Sequence, residues 1–241
     1  KINRTIGFIG GSGLAQGLEE VIENVEHHEG ESNQFGLVSP YWIGYSGTSR
    51  VIILSRHGDK FFRSPAELVR QRGYEANVFQ LSNLGVQEVF GLSAVGSLDI
   101  HLPLADAGSF VVPHQYVRGF ASSQHSFGSL AKTFFTNMST SFDPKLRQKL
   151  IDAIKASGYN VFEDGTYIYN GGDTFETGLE IKILDDLTKG EPNRLVGMTT
   201  VPELILLKQL GVPFAAVASN VNYAEGISTE TRVSHEQTLK I

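Results

Sequence analysis

Cysteine is absent from the 241 residues, which excludes disulfides, thiolate metal sites and thiol catalysis. Basic residues are the scarcer charge. Twenty Lys and Arg stand against 26 Asp and Glu, a net charge of −6, so the broad positive field of a nucleic-acid binder is missing. A small ligand is expected rather than a polymer. Apolar runs are too short to span a bilayer, and Lys1-Ile-Asn-Arg-Thr-Ile-Gly7 carries no signal-peptide pattern. The expected location is the cytoplasm, with neither membrane nor nucleic acid as partner. No low-complexity linker interrupts the even spread of glycines and apolar segments, which favours a single domain over residues 1–241.

What is present is a repeated alternation of short β-rich runs with longer helical patterns. This predicts an α/β fold with a mixed, mostly parallel central sheet flanked by helices. The predicted strands are Thr5–Ile9, Arg50–Ser55, Glu88–Ser93, Gly108–Pro113, Gly165–Tyr169, Arg194–Gly197 and Pro213–Ala218, with Tyr41–Ser46 as a hairpin strand. Predicted helices cover Ser64–Leu84, Pro144–Ala156, Thr177–Leu187 and Val201–Leu210. His27-His28, in a Glu-rich stretch, reads as a solvated loop, and no cluster suggests a metal site.

Polar and glycine-rich residues follow the strands, where open parallel sheets bind ligands. After the first strand comes Gly10-Gly11-Ser12-Gly13, and after the second Arg56-His57-Gly58. Ala94-Val95-Gly96-Ser97, Met198-Thr199-Thr200 and the amides Asn220 and Asn222 follow later strands. The glycine-rich turn can aim backbone N–H groups at an oxyanion, with Arg56 as fixed charge and Ser12, His57, Ser93 and Thr199 as further donors. The dinucleotide fingerprint fails for want of a third glycine, and no Gly-Lys-Ser/Thr supports a Walker loop. Asn220 and Asn222, taken alone, read first as the start of a loop and only second as hydrogen-bonding groups for a neutral heterocycle.

Taken in order, these exits resemble the trimeric purine nucleoside phosphorylase and methylthioadenosine phosphorylase family. The matching segments are Ile6–Leu14, Ser55–Gly58, Gly73–Asn77, Ala94–Leu98, Thr174–Thr177, Val196–Glu203 and the Asn220/Asn222 strand. The resemblance implies that phosphate attacks C1′ of a purine nucleoside, releasing the base and a sugar 1-phosphate, with no metal, cofactor or covalent nucleophile. It implies phosphate ligands Gly11, Ser12, Arg56, His57, Ser93, Ala94 and Thr199, the last two partly through backbone N–H groups. Met198 then lies beneath the ribose, His235 bonds its 5′-hydroxyl, and Phe135 closes the ribose pocket of a neighbour in a homotrimer. Phe175 stacks on the base, which Glu176, Asn220 and Asn222 read.

Two branches of the family are mixed in this chain. Arg56-His57-Gly58 and Thr199–Glu203 resemble the methylthioadenosine branch, whereas Asn at 220 and 222 replaces that branch's Asp. Glu176 resembles the acid that accepts N1–H of hypoxanthine or guanine, a proton that adenine lacks. A 6-oxopurine nucleoside such as inosine or guanosine is the expected substrate, with Asn220, Glu176 and Arg56 as the principal groups. The alternatives are a 5′-methylthioadenosine or 5′-methylthioinosine phosphorylase, a nucleosidase using water, and a non-catalytic nucleoside-binding protein. Asp173, where the family usually has proline, adds negative charge near Glu176.

Overall fold

A computed structural model of the chain describes residues 3–11, 21–58, 62–121, 124–133 and 135–228. The strands are β1 (Arg4–Gly10), β2 (Glu23–His28), β3 (Ser32–Asn33), β4 (Gly36–Leu37), β5 (Tyr41–Ser46), β6 (Ser49–Ser55), β7 (Glu88–Ser97), β8 (Ser109–Val111), β9 (Gln115–Arg118), β10 (Asn160–Phe162), β11 (Thr166–Tyr169), β12 (Arg194–Gly197) and β13 (Phe214–Tyr223). The helices are α1 (Pro65–Arg70), α2 (Gly73–Asn83), α3 (Pro144–Ala156), α4 (Gly178–Leu187) and α5 (Val201–Gln209). The fold is α/β, with a mixed sheet in which parallel pairings predominate. Among the described residues no helix is long and apolar enough to cross a membrane.

The residues group into two compact units. The first comprises Lys1–Leu92, Ser123–Met138 and Val201–Phe214. In it β1 lies between two parallel neighbours, β6 and the start of β7, while β5 and β2 continue antiparallel beyond β6. Being paired on both sides, β1 and β6 can be nearly continuously apolar. Ile9, Ile52 and Leu54 are fully buried, and Ile22, Val51 and Ile53 form a cluster with Phe8 and Val25. The second unit comprises Ser93–Ser122, Ser139–Thr200 and Ala215–Ile241. There β9, β11 and β12 run parallel, β12 meets the end of β7 antiparallel, and β8 pairs with β10 and β13. Its core cluster is Leu98, Ile168, Ile181, Leu184, Val196 and Ala224.

The structure corrects several sequence expectations. The helix expected over Ser64–Leu84 is two helices, because Arg72 takes a left-handed φ of 55°. Its guanidinium lies over the Phe35 ring, 4.9 Å from the centroid, a cation–π contact that helps hold this break. A side chain at Gly73 would meet Leu68 Cδ2 at 2.6 Å, so the chain turns too tightly there for a continuous helix. The segment around His27-His28 is an edge strand rather than a loop. His27 stacks on Trp42 and His28 on Tyr41 across the β2–β5 ladder, the kind of aromatic cross-strand pairing that specifies register. Strands β7 and β13 also run four and five residues beyond their predicted ends, at Ser93 and Ala218, to Ser97 and Tyr223. Ser93, Ala94 and both amides therefore sit within strands, on rigid backbone.

Helix α3 shows how local chemistry sets an element's start. Asp143 accepts from the backbone N–H groups of Lys145 and Leu146, and Pro144 occupies the first turn, where its missing N–H costs nothing. Asp143→Ala is expected to lower stability by about 1 kcal/mol, read as a shift in the urea unfolding midpoint with an unchanged slope.

Candidate active site

In the first unit the exit of β6 is fixed to β1, since the Arg56 N–H donates to the Gly10 carbonyl at 2.8 Å. The Arg56 side chain is only 1% exposed. Its Nε and Nη2 donate to the two carboxylate oxygens of Glu203 at 2.5 and 2.9 Å, and Nη1 donates to the Leu92 carbonyl at 3.1 Å. Glu203 is buried to the same degree, in the first turn of α5. Arg56, expected as the fixed charge of the anion subsite, is neutralised by this bidentate carboxylate, so it can recognise an anion by directed N–H bonds rather than by net charge. His57 Nδ1 donates to the Arg63 carbonyl at 2.8 Å, and its ring stacks on Phe62. The carbonyl accepts only, so the proton is on Nδ1, and Nε2 donates to an oxyanion only when the ring is protonated. Gly11 is half-buried with open space where a side chain would sit. Ser12 lies outside the described residues, as does His235.

In the second unit a residue missed by the sequence reading organises the other expected phosphate ligands. Tyr167, on β11, is fully buried, and its Oη lies 3.3 Å from Ser93 Oγ and 3.4 Å from the Thr199 backbone N. The Thr199 N–H can only donate, so the tyrosine oxygen accepts from it, and either hydroxyl can be the donor in the contact with Ser93. Ser93 Oγ also lies 3.5 Å from the Ala94 carbonyl. The expectation for Thr199 is corrected, since its N–H is already taken by Tyr167. A side chain at Gly197 would approach Tyr167 Oη to 2.2 Å, so glycine makes room for the hydroxyl. The signal available in the sequence was the phenol itself, since a buried tyrosine hydroxyl must find partners. Next along the chain, Thr200 has φ of 70° and a buried Oγ1 with no partner among the described residues. A β-branched residue in that region costs about 1–3 kcal/mol, and such strain collects at functional sites. Met198 is half-buried in the same turn, and Ala94 is exposed on β7.

The two amides differ in availability. Asn220 is 1% exposed, and its Nδ2 donates to the carbonyls of Leu102 and Pro103 at 3.3 Å each, leaving Oδ1 buried without a partner among the described residues. Both neighbours are acceptors, which fixes the amide orientation. The expected N–H donors of Asn220 are thus occupied by the protein itself. Asn222, two residues on and so on the same strand face, is only half-buried. Its Nδ2 donates to the Tyr223 carbonyl at 3.0 Å, and it sits against Gly96, where any side chain would come within 2.9 Å of it.

Glu176 and Phe175 occupy the loop before α4. Glu176 is half-buried and its Oε1 accepts from Asn170 Nδ2 at 3.0 Å, while Phe175 is 41% exposed. Burial raises the Glu176 pKa above the usual carboxylate value, opposed by the Asn170 bond and its own backbone N–H and assisted by Glu180. Asp173 is exposed in the same loop, and Phe135 is 91% exposed. Glu203→Ala should destabilise the protein by about 3–5 kcal/mol, because it strands a buried guanidinium; chemical denaturation monitored by circular dichroism measures it.

The family model described as the phosphorylase superfamily matches residues 5–240. A probable S-methyl-5′-thioinosine phosphorylase of Thermodesulfovibrio yellowstonii is 32% identical over 92% of this chain and 79% of that protein. A probable 6-oxopurine nucleoside phosphorylase of Dictyoglomus turgidum is also 32% identical, over 98% and 84%. The solved methylthioadenosine phosphorylase of Schistosoma mansoni in complex with adenine superposes with a TM-score of 0.83 at 25% identity, covering 98% of this chain and 84% of that one. With nearly every described strand and site residue inside the matched range, the chain belongs to the phosphorylase superfamily.

Proposed function

We propose that this protein is a pentosyltransferase that cleaves purine nucleosides with inorganic phosphate, and that its substrates are 6-oxopurine nucleosides such as inosine and guanosine. The relatives named as purine or methylthiopurine nucleoside phosphorylases support the reaction class. The base assignment is carried by one observation: a half-buried, acceptor-only carboxylate, Glu176, beside the exposed ring of Phe175. A carboxylate accepts N1–H of hypoxanthine or guanine and repels the lone pair that adenine presents there.

In the proposed reaction a phosphate oxygen forms a bond to C1′ as the C1′–N9 bond breaks, and the electron pair leaves with the purine. Positive charge grows on the sugar and negative charge on the base. The family resemblance assigns phosphate binding to Gly11, Ser12, Arg56, His57 and Ser93 and the face beneath the ribose to Met198. The half-buried Asn222, whose Nδ2 keeps a second N–H beyond the one bonded to the Tyr223 carbonyl, is the amide that donates to N7 or the 6-oxo group, rather than the buried Asn220. Asn220 braces the strand against the Leu102–Pro103 backbone. Ribose against 5′-methylthioribose is decided at the 5′ position, where His235 favours a hydroxyl. The thioinosine-directed relative keeps 5′-methylthioinosine as the second reading. Phe135 and the outward Leu179, Ile183 and Leu187 of α4 supply apolar surface for a homotrimer of one functional domain per chain.

Phosphorolysis of inosine or guanosine, followed by free base released only when phosphate is present, tests the proposal. Good turnover of methylthioadenosine with none of inosine overturns it. Asn222→Asp should lower the inosine-to-adenosine ratio of kcat/KM by about tenfold or more, whereas Asn220→Asp should change stability more than that ratio. Glu176 must be ionised to accept N1–H and its pKa is raised, so kcat/KM for inosine should fall with decreasing pH along a limb above the ordinary carboxylate range. The limb should vanish in Glu176→Gln. The stability sign is the reverse of a salt-bridged carboxylate's: a raised folded pKa contributes stability at low pH that is lost as pH rises through it.

A further inference from the structure

Asn170, at the end of β11, is 7% exposed and held on both sides. Its backbone N–H donates to the Gly197 carbonyl at 3.0 Å, and its Oδ1 accepts from the Phe120 N–H at 3.1 Å. Because that N–H can only donate, the amide cannot flip, and Nδ2 is compelled to face Glu176, which it reaches at 3.0 Å. An amide N–H presented to a carboxyl group favours the deprotonated form and fixes which lone pairs remain for a ligand. Resting on the 6-oxopurine reading, we propose that Asn170 is a positioning residue for base selectivity, holding Glu176 as an oriented, ionised acceptor for the N1–H of the purine.

The geometry makes the role separable from simple packing. Asn170→Asp keeps the shape and the Oδ1 that accepts from Phe120, yet replaces the donor facing Glu176 by an acceptor. Two carboxyl groups at that separation cannot both ionise readily, so one pKa rises and the pair shares a proton, and a protonated Glu176 offers adenine N1 a donor. Glu180, on the first turn of α4, is the further ionisable group acting on Glu176 and pushes in the same direction. It is itself engaged by the Thr177 cap and unchanged in the variant.

The test is a double-mutant cycle of wild type, Asn170→Asp, Glu176→Gln and the pair, assayed on inosine and adenosine. Asn170→Asp should lower the inosine-to-adenosine ratio of kcat/KM by about tenfold or more, with KM for phosphate changed less than about twofold. Its inosine acid limb should move to higher pH. In the Glu176→Gln background the same substitution should leave the ratio unchanged. A wild-type ratio and limb in Asn170→Asp, or an equal loss without Glu176, overturns the inference. Asn170→Ser, which also removes the donor, serves the same cycle should the aspartate variant fail to fold. Wild-type enzyme that prefers adenosine overturns the base assignment itself, independently of every variant.

Discussion

A bidentate ion pair with almost no exposure, Arg56 to Glu203, is the constraint around which the first unit is arranged. Removing two charges from water is unfavourable unless every donor and acceptor is met. The pair satisfies this only if the end of β6, the first turn of α5 and the Leu92 carbonyl converge to hydrogen-bond distance. The same convergence explains a tight network around it: the Arg56 N–H bonds to Gly10, and Ser39 Oγ donates to the Arg56 carbonyl. Hydrophobic burial of Ile52, Ile53 and Leu54 drives the strand inward, and the charge pair specifies where it stops.

The second unit solves a comparable problem with neutral groups. A fully buried phenol accepts from one backbone N–H and shares a hydrogen bond with one serine hydroxyl. Room for the phenol comes from Gly197, and the following turn carries the strained Thr200. Rigidity here comes from neutral groups that hold one another in place.

Much of the fold was legible in the sequence. Alternating β-rich and helical segments, the Ser64-Pro65, Asp143-Pro144 and Thr177 starts, and the Arg194–Gly197 strand all follow local rules that the structure obeys. The departures occur where a non-local contact decides. The helix break at Arg72 depends on Phe35, and the His27-His28 strand exists because Trp42 and Tyr41 lie opposite. For the site, the strand-following motifs name individual residues but not their hydrogen-bond partners. Nothing in the local sequence says that Glu203 claims Arg56, that Tyr167 claims the Thr199 N–H, or that Leu102 and Pro103 claim the amide of Asn220. Those partners lie 32 to 147 residues away in sequence.

The close approach of Gly96 to Asn222 limits how this chain can evolve. No side chain fits at position 96 without displacing the amide, so the volume available at position 222 is already spoken for. Asparagine and aspartate are nearly equal in size and differ in charge and donor pattern. A lineage can therefore pass between them in one step without repacking the strand, while a larger residue at 222 demands compensation elsewhere. Sterics of this kind make the hydrogen-bonding character of position 222 a discrete trait, altered by exchange of a single donor for an acceptor rather than by gradual repacking.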